Sequence, residues 1–159
     1  MEMFIGTKIV FAEPMTRGEY NLFRGWQIPA DENPDDPGYK VVYSDDYVSW
    51  SPAEAFEEAY RRADGMPFGL AIEAAKKGAR VARRGWNGKD MYVCLGNVES
   101  FNTPADISSA RNEDGTVLVL PFLMMKTADN AMCVGWLASQ TDMLSDDWYI
   151  VDFEPVAIS

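Results

Sequence analysis

At 159 residues the chain has room for one domain or two small ones, and 47% apolar with 13% aromatic residues supports a real core and excludes a disordered tail. A formal net charge of −11 sets the chain as a whole against nucleic acid polymers and anionic membranes, so a large phosphate-tracking surface is excluded. Two cysteines and no histidine exclude the usual closed zinc site, and no apolar run is long enough to span a bilayer. Neither metal nor cofactor is expected. Low cysteine content and the lack of a signal sequence point to a reducing cytoplasm. Cys94 and Cys133 each sit in an apolar run and read as buried thiols that pack as small hydrophobes.

Residues 1–66 hold 6 basic and 13 acidic residues and read as a small α+β unit; residues 67–159 hold 8 and 12 and read as a second domain. In the first, Thr16-Arg17-Gly18-Glu19 and Ser51-Pro52-Ala53-Glu54 both match the capping box. Pro52 falls at the first helical position, and Phe56, Ala59 and Tyr60 repeat at helical spacing, which predicts a helix over about 52–62. Between the two capped helices, residues 31–38 form an acidic, turn-rich loop leading into β-prone runs at 39–43 and 47–50, a hairpin joined through Ser44-Asp45-Asp46.

Pro67 opens the next helix. Phe68, Ala71, Ile72 and Ala75 make one apolar stripe along it, and Gly78 supplies a left-handed stop. Strands follow at 80–83 and 91–95 around a turn at 85–89, then a long polar connection over 96–115. A long strand is expected over 116–126, a turn at 128–130, and a further run over 131–137. Ser139-Gln140-Thr141-Asp142 is a capping box in acidic form that starts a short helix ending near Leu144, and 148–153 closes the sheet. The fold class is therefore α+β, a small antiparallel sheet packed with short helices and preceded by the N-terminal unit.

Six basic residues without an acid lie between Lys76 and Lys89 in this otherwise acidic chain. Lys76 and Lys77 suit a helix C-terminus. Arg83, Arg84 and Lys89 flank Trp86-Asn87-Gly88, and that turn offers a π face, amide groups and cations, the needs of a nucleotide-like ligand. The alternative is a structural turn whose indole caps the core. Trp136, Leu137, Met143, Leu144 and Trp148 read mostly as core, while the helix start between the tryptophans is either a simple cap or an anion and ribose site. Without histidine, a phosphate-cradling loop or a nucleophile elbow, and with adjacent acid pairs that point apart, catalysis is not expected.

The second segment resembles the phage family of Thoeris anti-defence sponges of the second type. The matching stretches are Phe68-Gly69-Leu70-Ala71, Ala74 to Gly78, Val81 to Met91 with Arg-Arg-Gly-Trp-Asn-Gly-Lys at its centre, Met125 to Asp129, and Gly135 to Leu144 continuing to Asp147-Trp148. The resemblance implies a homotetramer whose pockets between protomers capture immune signalling nucleotides without cleaving them. Those ligands include glycocyclic ADP-ribose made by TIR-domain proteins, and cyclic dinucleotides at a separate site. By motif position it implies Phe68 and Trp86 as stacking surfaces, Asn87 as a polar contact, and Lys89 and Arg84 on phosphate. Ser139, Gln140, Thr141 and Asp142 would meet ribose or base edges. The setting would be the cytoplasm of the infected host, with neither nucleic acid polymer nor membrane as partner. The segment before 67 departs from this pattern, and a different reading is an inhibitory protein that docks on a host effector through its acidic N-terminal unit.

Overall fold

The computed structural model describes residues 1–3, 5–97 and 108–153. Short helices and wholly antiparallel strands make it an α+β protein, and the chain divides into two units, Met1–Arg62 and Ala63–Ser159.

In the first unit, helix α1 (Arg17–Phe23) begins where the capping box places it. Thr16 Oγ1 accepts from the Glu19 amide at 3.2 Å, and Glu19 Oε2 accepts from the Thr16 amide at 2.8 Å, so two otherwise unpaired donors are satisfied. Strands β1 (Phe11–Pro14), β2 (Gly38–Val42) and β3 (Val48–Pro52) pair in that order. The hairpin is the expected one, with Asp46 in the left-handed region of its turn (φ 61°). Strand β1 is not visible in the sequence: all four residues are exposed, so no alternation marks it, and Pro14 is tolerated because β1 is an edge. Gly38 is required where Trp50 crosses it, since a Cβ there would fall on the indole ring. The Trp50 Nε1–H donates to the Met15 carbonyl at 2.8 Å, and Arg17 lies 5.0 Å over the same ring. Tyr20, Asn21 and Val41 are buried in this unit. Glu32, from the acidic loop, accepts from Arg17 and from Asn21, which ties that loop to α1.

Helix α2 (Ala53–Ala59) is shorter than expected, and its Ser51 cap is absent. Register decides this: Ser51 and Pro52 are paired with Tyr39 and Gly38 in the β2–β3 ladder. Pro52 is thereby the cap residue itself, with no side-chain cap bond, rather than the first helical residue. The helix ends because Tyr60 turns extended (φ −121°, ψ 152°) to continue the ring stack Tyr39–Phe56–Tyr60, with centroids 4.3 and 4.8 Å apart.

In the second unit, helix α3 (Phe68–Lys76) starts after Pro67 and ends at Gly78 (φ 98°), as the sequence indicates. It lies on the sheet formed by β4 (Arg80–Arg83), β5 (Tyr92–Gly96), β6 (Phe122–Lys126), β7 (Met132–Val134) and β8 (Trp148–Asp152), in the order β7-β6-β5-β4-β8. Ala71, Ala74 and Ala75 are buried from the helix, and Val81 and Val93 are fully buried from the sheet. The one-turn helix α4 (Gln140–Met143) and a 3₁₀ turn at Ser108–Ala110 complete the unit.

Several expectations are corrected here. The strand expected over 116–126 is only β6, because Pro121 has no N–H for the ladder; Val117 makes just an isolated bridge to Arg111, and Leu118 and Leu120 are exposed. Part of the 96–115 connection, residues 98–107, lies outside the described residues. The cysteines are not buried: Cys94 is half-buried and Cys133 exposed. They are two strands apart and face opposite sides, since Cys94 pairs with Met124 and Cys133 with Met125. Of the apolar residues at 136–148, only Trp148 is fully buried; Trp136 is half-buried, while Leu137, Met143 and Leu144 are exposed by 90%, 46% and 81%. With a single turn, α4 turns one residue inward, and that residue is Asp142.

Candidate functional site

Three indoles meet where β4 runs into the turn at 85–89. Trp148 is fully buried, with Trp86 at 5.3 Å and 78° and Trp136 at 6.4 Å and 68°; Trp86 and Trp136 are 6.0 Å apart at 76°. All three contacts are edge-to-face, the arrangement favoured by the ring quadrupoles. Phe68, from the first turn of α3, leans on Trp148 at 5.3 Å.

A polar network fixes the indoles. The Asp142 Oδ1 accepts from Arg83 at 2.8 Å and from Trp86 Nε1–H at 3.1 Å, while its Oδ2 accepts from the Ser139 amide at 3.0 Å and the Ser139 hydroxyl at 2.7 Å. The Asp142 carbonyl accepts from Trp148 Nε1–H at 2.9 Å. Arg83 also donates to Asp147, whose second oxygen accepts from the Gly85 amide at 2.8 Å. Burial works against the charge of Asp142, but the bonds from Ser139, Arg83 and Trp86 outweigh it and hold the carboxyl at about 2. The Arg83 bond likewise keeps Asp147 below its ordinary value. Arg83 thus faces two carboxylates, and its charge is consumed inside the fold.

On the solvent side of Trp86 is a cleft of about 290 Å³. Its walls are Arg83, Arg84 and Trp86 from the end of β4, Gly88, Asp90 and Met91 from the turn, and Tyr149 from β8. Arg84 is exposed, with its guanidinium 5.1 Å over the Tyr149 ring and donating to the Asp64 carbonyl at 3.2 and 3.3 Å. Among the described residues no carboxylate pairs with it. Gly88 is needed in the floor: a Cβ there would strike the Met91 sulfur and approach Ala128 Cβ at 2.9 Å. Asp90 holds a left-handed conformation (φ 55°) with its carbonyl accepting from Lys126 Nζ at 3.1 Å.

Of the residues marked in the sequence, the structure brings Arg84 and Trp86 into the cleft wall. Asn87 and Lys89 are exposed on the same turn without lining it. Asp142 stands behind Trp86 as its support, Ser139 bonds the other oxygen of Asp142, Gln140 and Thr141 are exposed on the first turn of α4, and Phe68 touches Trp148. Tyr149, Asp90 and Met91 were missed. Tyr149 had a signal: it follows a buried tryptophan in a strand, so it faces the other side of the sheet, next to Arg84. Asp90 and Met91 had none, because only the turn's path brings them in. Burial pushes the Cys94 thiol up, away from nucleophilic use.

An α+β domain with an aromatic and cationic cleft at one end of an antiparallel sheet is the class that these observations define. The model of the Thoeris anti-defense 2-like domain matches residues 66–151. The chain belongs to that family. A relative, "Thoeris anti-defense 2" of Bacillus phage SP01, is 37% identical over 86 residues, which is 54% of this chain and 94% of the relative.

Proposed function

We propose that this chain is a phage anti-defence sponge, which binds and sequesters nucleotide second messengers of bacterial immunity without cleaving them. The ligands on this reading are glycocyclic ADP-ribose from TIR proteins and, separately, cyclic dinucleotides. The observation that carries it is the pairing, in one cleft, of two aromatic rings (Trp86 and Tyr149) with an arginine that no carboxylate neutralises among the described residues. Stacking on rings holds a base, and a guanidinium holds phosphate by paired hydrogen bonds. On this reading Asn87 and Lys89, exposed on the turn that carries Trp86, would add an amide and a second cation, and Gln140 and Thr141, exposed on α4, would add further contacts. The family's anti-defence name and the related phage protein support the setting, the cytoplasm of an infected host.

The same reading has the chain assemble as a homotetramer with pockets between protomers. Support comes from the exposed Val134, Leu137 and Leu144, apolar groups that a partner surface would remove from water. A second reading, docking on a host effector through the N-terminal unit, is favoured by the exposure of Leu22, Phe23 and Trp26 on and after α1.

Incubation with glycocyclic ADP-ribose isomers and cyclic dinucleotides, removal of free ligand, heat denaturation and analysis of what is released tests the proposal. Intact ligand is expected in the released fraction. Chemically altered ligand would make the protein an enzyme, and the absence of any ligand would leave the docking reading.

A further inference from the structure

We propose that Asp142 is a positioning residue that sets the aromatic wall of the cleft without touching the ligand; this rests on the sponge reading given above. Motif position alone would put this carboxylate on the ligand. Its surroundings argue otherwise. Each oxygen already accepts two hydrogen bonds, Oδ1 from Arg83 and Trp86 and Oδ2 from the amide and hydroxyl of Ser139. A carboxylate has about four lone-pair sites, so none is left over for a ribose hydroxyl or a base edge. The side chain is only 12% exposed and is not part of the cleft lining.

What the residue does instead is join two elements distant in sequence. Through Oδ1 it fixes the Trp86 indole in the turn after β4, and through its carbonyl it fixes the Trp148 indole at the start of β8. Trp86 lines the cleft, and the fully buried Trp148 lies behind it, with Trp86 standing edge-on against its ring. Without the Asp142 acceptor, the Trp86 N–H has no partner in this network and the ring is free to tilt about its side-chain bonds. Arg83 serves the same end, since it neutralises Asp142 and bridges it to Asp147, which in turn holds the Gly85 amide at the first residue of the turn.

The test uses the full chain and two readouts, hydrogen exchange at the Trp86 indole N–H followed by NMR and capture of a glycocyclic ADP-ribose isomer. The Trp86 resonance is assigned by its loss in Trp86→Phe. Asp142→Ala is expected to speed exchange at this N–H and to weaken capture, each by about tenfold or more, the scale of a lost hydrogen bond to a charged group. Asp142→Asn, which keeps an acceptor for the indole, is expected to restore most of both. Ser139→Ala loosens the helix cap but leaves the Oδ1 bonds, and should leave the indole exchange within about twofold. Loss of capture in Asp142→Ala with unchanged indole exchange would overturn the proposal, because Asp142 would then act on the ligand itself. Equal effects of Asp142→Ala and Ser139→Ala on both readouts would overturn it too, leaving only a cap. Should Asp142→Ala not fold, Asp142→Asn carries the test: both readouts largely kept upholds the positioning role, and capture lost with the Trp86 indole exchange unchanged refutes it. A wild-type protein that captures no probe would sink the sponge reading, while the exchange comparison would still decide whether Asp142 orders Trp86.

Discussion

A carboxylate at the third position of a short helix ordinarily caps the helix and does no more. Asp142 does that with one oxygen and uses the other to bind Arg83 and Trp86, which is why a polar side chain occupies the inward position of α4. Its folded-state value of about 2 lies below the ordinary 3.8, so the stability it contributes is complete above pH 4 and is lost as pH falls toward 2. A shift of that size corresponds to about 2 kcal/mol. Acid titration of urea stability should therefore show a limb between about pH 4 and pH 2, and Asp142→Asn should flatten it. A limb of unchanged slope in the variant would mean that other carboxyls, Glu32 among them, carry the acid transition. At this scale the sequence was half legible. It marked Trp86, Arg84 and Asp142 as notable, but the partner that consumes a charge is set by tertiary placement, and no spacing rule links Arg83 to residues 59 and 64 positions away.

Two helices with the same sequence signature behave differently at the level of elements. Thr16 and Ser51 each precede an acid by three residues, yet only Thr16 caps. The difference is the neighbouring ladder, which holds Ser51 and Pro52 as strand residues opposite Tyr39 and Gly38. Thr16→Ala should cost about 1 kcal/mol in chemical denaturation and Ser51→Ala less than about 0.5 kcal/mol. Equal costs would show that Ser51 caps α2 after all. Where local chemistry and tertiary pairing agree, as at α1, α3 with its Gly78 stop, the capped start of α4 and the β2–β3 hairpin, the sequence reading and the structure coincide. Where a strand needs a partner to exist, as β1 does, nothing local announces it. The run over 116–126 failed for the opposite reason: its apolar composition promised a strand that Pro121 interrupts.

For the whole molecule, the family match spans residues 66–151, so the segment before 66 lies outside it, and the relative is covered to 94% by an 86-residue stretch of this chain. Each unit has its own antiparallel sheet and its own buried residues, among them Tyr20 and Val41 in one and Val81, Val93 and Trp148 in the other. If the second unit assembles through its exposed apolar groups, Leu137→Asp together with Leu144→Asp should reduce the mass measured by light scattering to that of one chain, with the circular dichroism spectrum retained. A monomeric wild type would end the tetramer reading at once.

The exposure of Cys133 on the outer strand β7 has a practical consequence for the chemistry of labelling. The only other thiol, Cys94, is half-buried, and burial pushes it up and away from the reactive thiolate. A maleimide dye should therefore attach at one position per chain without any engineered cysteine. It would sit on the open edge of the five-stranded sheet, where its colour and lifetime report whether that edge faces water or another surface.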